Sequence, residues 1–174
     1  MKPGSPELKE LLQVARELAV RAGNLTLEHF GGVLASETKG DGTPVTVADR
    51  GAETLLREEI SSRFPEHGIL GEEFGASNPE AEVRWILDPI DGTRAFVRGV
   101  PIYGVLIGIF VGNEPTVGVA HFPALGETVS AALGCGCEWN GRTARVSQLS
   151  ELAQAGGLTT DLEEIRNHAL TGAW

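Results

Sequence analysis

The stretch Val83-Arg84-Trp85-Ile86-Leu87-Asp88-Pro89-Ile90-Asp91-Gly92-Thr93 constrains this chain more than any other. It opens as a short apolar run, the pattern of a buried strand. It then meets an acid, a proline, a second acid and a glycine. Proline removes a ladder donor, and glycine permits a sharp turn. The spacing therefore places Asp88 and Asp91 on rigid backbone at the end of a buried strand. The amides of Gly92 and Thr93 follow, positioned to open a helical turn, and a helix N-terminus attracts anions. Acids able to hold a cation beside an anion-binding turn are what a phosphate-transferring centre requires.

Around that stretch the periodicities describe an α+β chain. Ser5-Pro6-Glu7 reads as a helix start, with an N-cap, a proline at the first position and an acid in the first turn. Leu8, Leu11, Leu12, Ala15, Leu18, Ala19, Ala22 and Leu25 keep helical spacing, which predicts a long amphipathic helix ending near Gly31-Gly32. Residues 35–44 read as a polar loop. Thr46-Val47-Ala48-Asp49 has the form of a capping box. It opens a second helix with the stripe Ala48, Ala52, Leu55, Leu56, Ile60 and Phe64, and Pro65 lies beyond its end. Gly68-Ile69-Leu70-Gly71 reads as a short strand, 74–82 as a polar loop and 94–99 as a helical turn.

From Tyr103 the pattern changes to strands, at 103–111, 116–121 and 127–133. A hairpin about Asn140-Gly141 follows, the strongest two-residue hairpin signal. Short turns imply a mainly antiparallel sheet, with the two leading helices packed on one face. Residues 148–157 read as a linker with a short helix. Leu158-Thr159 then reads as a strand, and the capping box Thr160-Asp161-Leu162-Glu163 opens a helix to about Leu170. The domain expectation is therefore a metal-binding α+β domain over 1–147 and the start of an incomplete second α/β domain over 148–174.

The net charge of −10 argues against nucleic acid and anionic membrane surfaces as partners. The first ten residues are polar and lack the apolar core of a leader. The longest uncharged run, 99–113, is too short to span a bilayer. Cys135 and Cys137 are one residue apart, which suits neither a disulfide nor a four-ligand zinc site. They read as reduced thiols in a cytoplasmic protein.

The acids that could carry chemistry are Asp49, Glu72, Glu73, Asp88 and Asp91. Glu72, Asp88 and Asp91 sit at or near the carboxyl ends of apolar strands, and adjacent strands would gather them. Carboxylates about 4 Å apart repel by roughly 4 kcal/mol per pair at an effective dielectric near 20. Such a cluster requires a proton or a cation. Oxygen-only ligands select a hard ion, Mg²⁺ first, then Mn²⁺ or Ca²⁺. Blander readings stand beside these: Asp49 suffices as a helix cap, and Glu73 as a solvated loop residue. His29, His67, His121 and His168 are scattered and read as surface or core residues. Neither G-x-S-x-G nor G-x-x-x-x-G-K-[ST] occurs, so a serine nucleophile elbow and a P-loop are excluded.

Asp88-Pro89-Ile90-Asp91-Gly92-Thr93 resembles the D-P-[IL]-D-G-T signature of the inositol monophosphatase family. Gly71-Glu72-Glu73 is similar to that family's G-E-E, and Val45-Thr46-Val47-Ala48-Asp49 to its V-T-x-x-D. Residues 92–101 followed by Gly104-Val105-Leu106-Ile107 look most like the histidinol-phosphatase branch, whose place is in histidine biosynthesis. The resemblance implies the first half of an αβαβα sandwich and a Mg²⁺-dependent phosphomonoesterase acting on a small phosphorylated alcohol. It implies that Glu72, Asp88 and the Ile90 carbonyl hold one metal, and that Asp88 and Asp91 contribute to a second. By the same resemblance Thr93, paired with Asp49, activates the attacking water, and the Gly92 and Thr93 amides hold the phosphate. Glu72 and Asp91 would also face the substrate. Family members carry a second domain with a W-D-x-A-A motif whose aspartate completes the second metal site. No such motif occurs here. The expectation is a phosphatase impaired by truncation or, alternatively, a non-catalytic metal- or phosphate-binding module. A sheet face left bare of its second domain favours self-association, and a homodimer is expected.

Overall fold

A computed structural model describes residues 1–31, 36–38 and 44–156. The chain divides into two compact units, 1–144 and 145–174. The first begins with helix α1, Pro6–Leu27, capped by the Ser5 hydroxyl accepting from the Leu8 amide at 3.4 Å. Its buried side is the stripe expected from the sequence, but it stops at Leu27, short of Gly31-Gly32. Strands β1, Ser36–Thr38, and β2, Pro44–Thr46, pair antiparallel, so the segment read as a polar loop contains part of a hairpin. Helix α2 spans Val47–Arg63 and buries Ala48, Asp49, Ala52, Glu53, Leu56 and Ile60. The Thr46 side chain, the other half of the expected capping box, lies outside the described residues.

The remaining elements of this unit are β3, Gly68–Gly71; β4, Gly75–Ser77; β5, Val83–Asp91; the short helix α3, Thr93–Val97; β6, Gly104–Val111; β7, Glu114–Phe122; β8, Glu127–Ala132; β9, Gly136–Trp139; and β10, Arg142–Ala144. Among the described residues, eight strands form one sheet in the order β10-β9-β8-β7-β6-β5-β3-β4. Every pairing is antiparallel except β3 with β5, which run parallel. Strand β4 falls in the second segment read as a loop, which corrects that expectation. The β9–β10 turn is the expected one, with Asn140 and Gly141 both at positive φ (47° and 74°), the conformation an Asn-Gly hairpin demands.

Alternation decides which sheet face is buried. Leu87, Trp85, Val105, Ile107, Ile109, Val117 and Val119 point toward α1 and α2 and form one core with the helical stripes. Trp85 lies at its centre, donating from Nε1 to His67 Nδ1 at 3.0 Å. His121, at the end of the strand expected over 116–121, is a buried residue bonded to the Thr128 hydroxyl at 2.8 Å. On the opposite face the register sets Leu70 beside Ile86, and Leu106, Ala120, Val129 and Trp139 in one row, none of them buried.

The second unit is described as far as residue 156. It contains a short 3-10 turn at Leu152–Gln154, within the segment read as a linker with a short helix. The expected strand at 158–159 and helix at 160–170 lie outside the described residues.

Candidate active site

The parallel pairing of β3 with β5 builds the site. Their register sets Gly71 against Leu87, so the next residues, Glu72 and Asp88, emerge side by side at the same sheet edge. Alternation then matters. Leu87 is buried, so Asp88 belongs to the opposite face, beside Ile86 and opposite Leu106. Two residues in a regular strand that lie three apart face opposite ways. Here Asp88 pairs with Leu106 and Asp91 with Gly104, so Pro89 and Ile90 oppose a single residue of β6. That is a β-bulge, and a proline that cannot donate to the ladder is tolerated in it. The bulge returns Ile90 to the core and lets Asp88 and Asp91 both point away from it.

Ile90, 1% exposed, packs with Ala48, Phe96 and Tyr103 in a second small core that ties β5 to the first turn of α2. This cluster also places Asp49, buried one residue after Ala48. Gly92 follows at φ 85°, a left-handed conformation that glycine adopts without cost, and caps α3. No side chain caps the start of α3. Thr93, the first residue of that helix, donates its hydroxyl to the Ile90 carbonyl at 3.1 Å.

Electrostatics single out Asp88. Burial pushes its carboxyl up to about 7, and the charges of Glu72, Asp91 and Asp49, with a hydrogen bond shared with Glu72, push in the same direction. Its Oδ1 is buried without a hydrogen-bond partner. Four of the five acids singled out in the sequence, Asp49, Glu72, Asp88 and Asp91, thus meet in the field at Asp88. Among the described residues, however, no three His, Cys, Asp or Glu side chains converge as a ready metal group. The site suits a cation in donor chemistry, since the acids supply hard oxygens and Oδ1 lacks a partner.

Sequence reasoning misjudged Glu73 and passed over Glu53. The Glu73 side chain is 3% exposed, with Arg50 Nε at 3.8 Å, and is not a solvated loop residue. Glu53 is wholly buried in α2 and accepts from the Glu73 and Phe74 amides at 2.7 and 3.2 Å. The signal available for Glu53 was an acid inside an apolar helical stripe, with Arg57 one turn on.

A model of the inositol monophosphatase family matches residues 7–171. A histidinol-phosphatase of Chlorobaculum parvum is 48% identical over 153 residues, covering 87% of this chain and 59% of that protein. Inositol monophosphatase 1 of Solanum lycopersicum is 36% identical over 152 residues, covering 85% and 56%. Among solved structures, an IMPase of Thermotoga maritima superposes with a TM-score of 0.76 at 36% identity, covering 80% of this chain and 54% of that one. The chain therefore spans little more than half the length of these relatives.

Proposed function

The chain belongs to the inositol monophosphatase family, and on that premise we propose that it carries the first half of a Mg²⁺-dependent phosphomonoesterase site for a small phosphorylated alcohol. The observation that carries the reading is Asp88, a carboxylate with a buried, partnerless oxygen and a pKa raised to about 7 among three other acids. Glu72, Asp88 and the Ile90 carbonyl would hold one Mg²⁺, and Asp88 and Asp91 would contribute to a second. A bound divalent cation supplies charge neutralisation of the phosphate and acidification of water.

The chain's own groups supply the rest. The uncapped start of α3 offers the Gly92 and Thr93 amides to phosphate oxygens. Thr93 and Asp49 form the proposed water-activating pair. Thr93 now donates to Ile90, so pairing with Asp49 requires that proton to swing away. Water adds to phosphorus and the P–O ester bond breaks; Asp49 accepts the water's proton and returns it to solvent, and the leaving alkoxide takes a proton from solvent water to become the alcohol. Histidinol phosphate is the favoured substrate, supported by the Chlorobaculum parvum relative, with an inositol monophosphate next. Residues 148–174 are proposed as the opening of a second α/β domain.

A non-catalytic module is the second reading. It is favoured by the acids of the site not converging as a ready group of three among the described residues. We also propose self-association through the sheet face that carries Leu70 and Trp139, both half exposed. Phosphate release from both substrates, with and without Mg²⁺, tests the phosphatase reading. Mg²⁺-dependent release that Asp88→Asn abolishes supports it. Mg²⁺ binding without release supports the module, and absence of both overturns the two readings.

A further inference from the structure

Glu53 is a carboxylate with no exposure at all, on the side of α2 that faces the sheet. A buried charge is costly unless paired and hydrogen-bonded. Its partners explain where that cost is met. Arg57, one turn later, donates from Nε at 2.7 Å. The amides of Glu73 and Phe74 donate at 2.7 and 3.2 Å. On the other side of Glu72, a Cβ built on Gly71 would lie 1.9 Å from Glu53 Oε1, so the carboxylate occupies the place a side chain would take. Arg57 continues outward to the Gly75 carbonyl and to the Ser77 hydroxyl at 3.5 Å, with its guanidinium 6.0 Å from the Phe74 ring. The pair therefore grips the β3–β4 turn on both sides of Glu72.

We infer that Glu53, braced by Arg57, is a positioning residue that fixes the turn and so holds Glu72 beside Asp88. The inference rests on the phosphatase reading for Glu72's task as a metal ligand. Glu53 does not touch the proposed substrate or metal. It acts through charge-assisted hydrogen bonds from two backbone amides, the one from Glu73 being short at 2.7 Å. Residues that orient a metal ligand this way typically cost about 10–100-fold in metal affinity when altered.

Glu53→Gln is the test. The amide keeps the shape of the side chain, but its NH₂ confronts a backbone N–H that needs an acceptor. Mg²⁺ affinity measured by calorimetry is expected to fall about tenfold or more, with the circular dichroism spectrum retained. Hydrogen-exchange protection of the Glu73 and Phe74 amides is expected to fall with it. A purely structural role would lower the melting temperature and leave the Mg²⁺ affinity of the folded protein unchanged. If E53Q does not fold, Arg57→Lys carries the test, because it keeps a charge opposite Glu53 and loses the fork onto Gly75 and Ser77. Weakened Mg²⁺ binding in the folded variant supports the inference. Wild-type affinity in a folded variant overturns it alone. A wild-type chain that takes up no Mg²⁺ overturns the phosphatase reading and this inference together.

Discussion

Asp88→Asn should make the metal-free protein more stable at pH 8, although it removes the proposed principal metal ligand. The carboxyl titrates at about 7 in the fold against an ordinary 3.8. The folded chain therefore holds a proton between those values that the unfolded chain has lost. With more protons bound in the native state, stability falls as pH rises from about 4 to about 7, and the penalty stays in place above that. The gap corresponds to roughly 4 kcal/mol at about 1.4 kcal/mol per pH unit. Asp88 is only part-buried, and solvent screening reduces this to about 2 kcal/mol. The isosteric amide has no charge to bury. For a chain of this size, about 2 kcal/mol is roughly 4–8 °C in melting temperature. Scanning calorimetry at pH 8 without metal should place the variant above wild type by that margin, and the difference should shrink toward pH 4. Mg²⁺ reverses the order. At about 100 times its Kd a ligand stabilises by about 2.7 kcal/mol, and only wild type should gain it. A variant that melts below wild type at pH 8 without metal would refute the strained-carboxylate reasoning. Equal gains from Mg²⁺ would refute the ligand assignment.

Mg²⁺ binding at pH 6 should release close to one proton, because the ion favours ionised Asp88. Affinity should rise with pH and level off above about 7, which calorimetry in buffers of different ionisation enthalpy will read, and a flat profile counts against Asp88. Gly23→Ala should destabilise by about 1–3 kcal/mol in urea melts, because its Cβ would sit 2.6 Å from His121 Cδ2 and 2.8 Å from Pro123 Cγ. Gly118→Ala, which meets nothing within 4 Å, is the matched control. If the proposed dimer forms, replacing Leu70 and Trp139 together by lysine should shift sedimentation toward monomer with the fold retained, and an unchanged sedimentation coefficient would remove this sheet face as the contact.

The elements legible in the sequence are those whose causes are local. Ser5 and Pro6 start α1 because cap and first turn lie within four residues. Asn140-Gly141 makes its turn because both residues tolerate positive φ. Strand β4 was not legible: Gly75–Ser77 is small and wholly exposed, and it is a strand only because Ile69 to Gly71 lies beside it. The hairpin of β1 and β2 has the same cause, since three-residue strands show no alternation. The convergence of Glu72 and Asp88 could be anticipated from two strand ends, but the parallel register that sets them side by side is a tertiary fact. Glu73 was misread because its cation, Arg50, comes from α2, more than twenty residues earlier in the chain. Glu53 was passed over because an acid four residues before an arginine looks like a surface helix pair until its burial is known.

The division of labour between the two sheet faces explains why the motif is spaced as it is. The helix-facing side is filled by Trp85, Leu87, Ile107 and Ile109 and supplies the stability. A functional carboxylate cannot join that side without losing its water. The alternation of β5 therefore assigns Asp88 to the opposite face, and a regular strand would send Asp91, three residues on, into the core. The bulge at Pro89-Ile90 resolves this conflict. It adds one residue to β5, drops Ile90 into the small cluster with Phe96 and Tyr103, and leaves Asp91 exposed. It also aims the Ile90 carbonyl at the Thr93 hydroxyl, which ties the start of α3 to the strand. Ile90 is thus a buried side-chain anchor on one side and, through its carbonyl, the acceptor of the Thr93 hydroxyl on the other. Truncating it to alanine removes a side chain that is 1% exposed. The loss of about 2–5 kcal/mol typical of such a cavity would fall on the element that positions Asp88, Asp91 and Thr93 together.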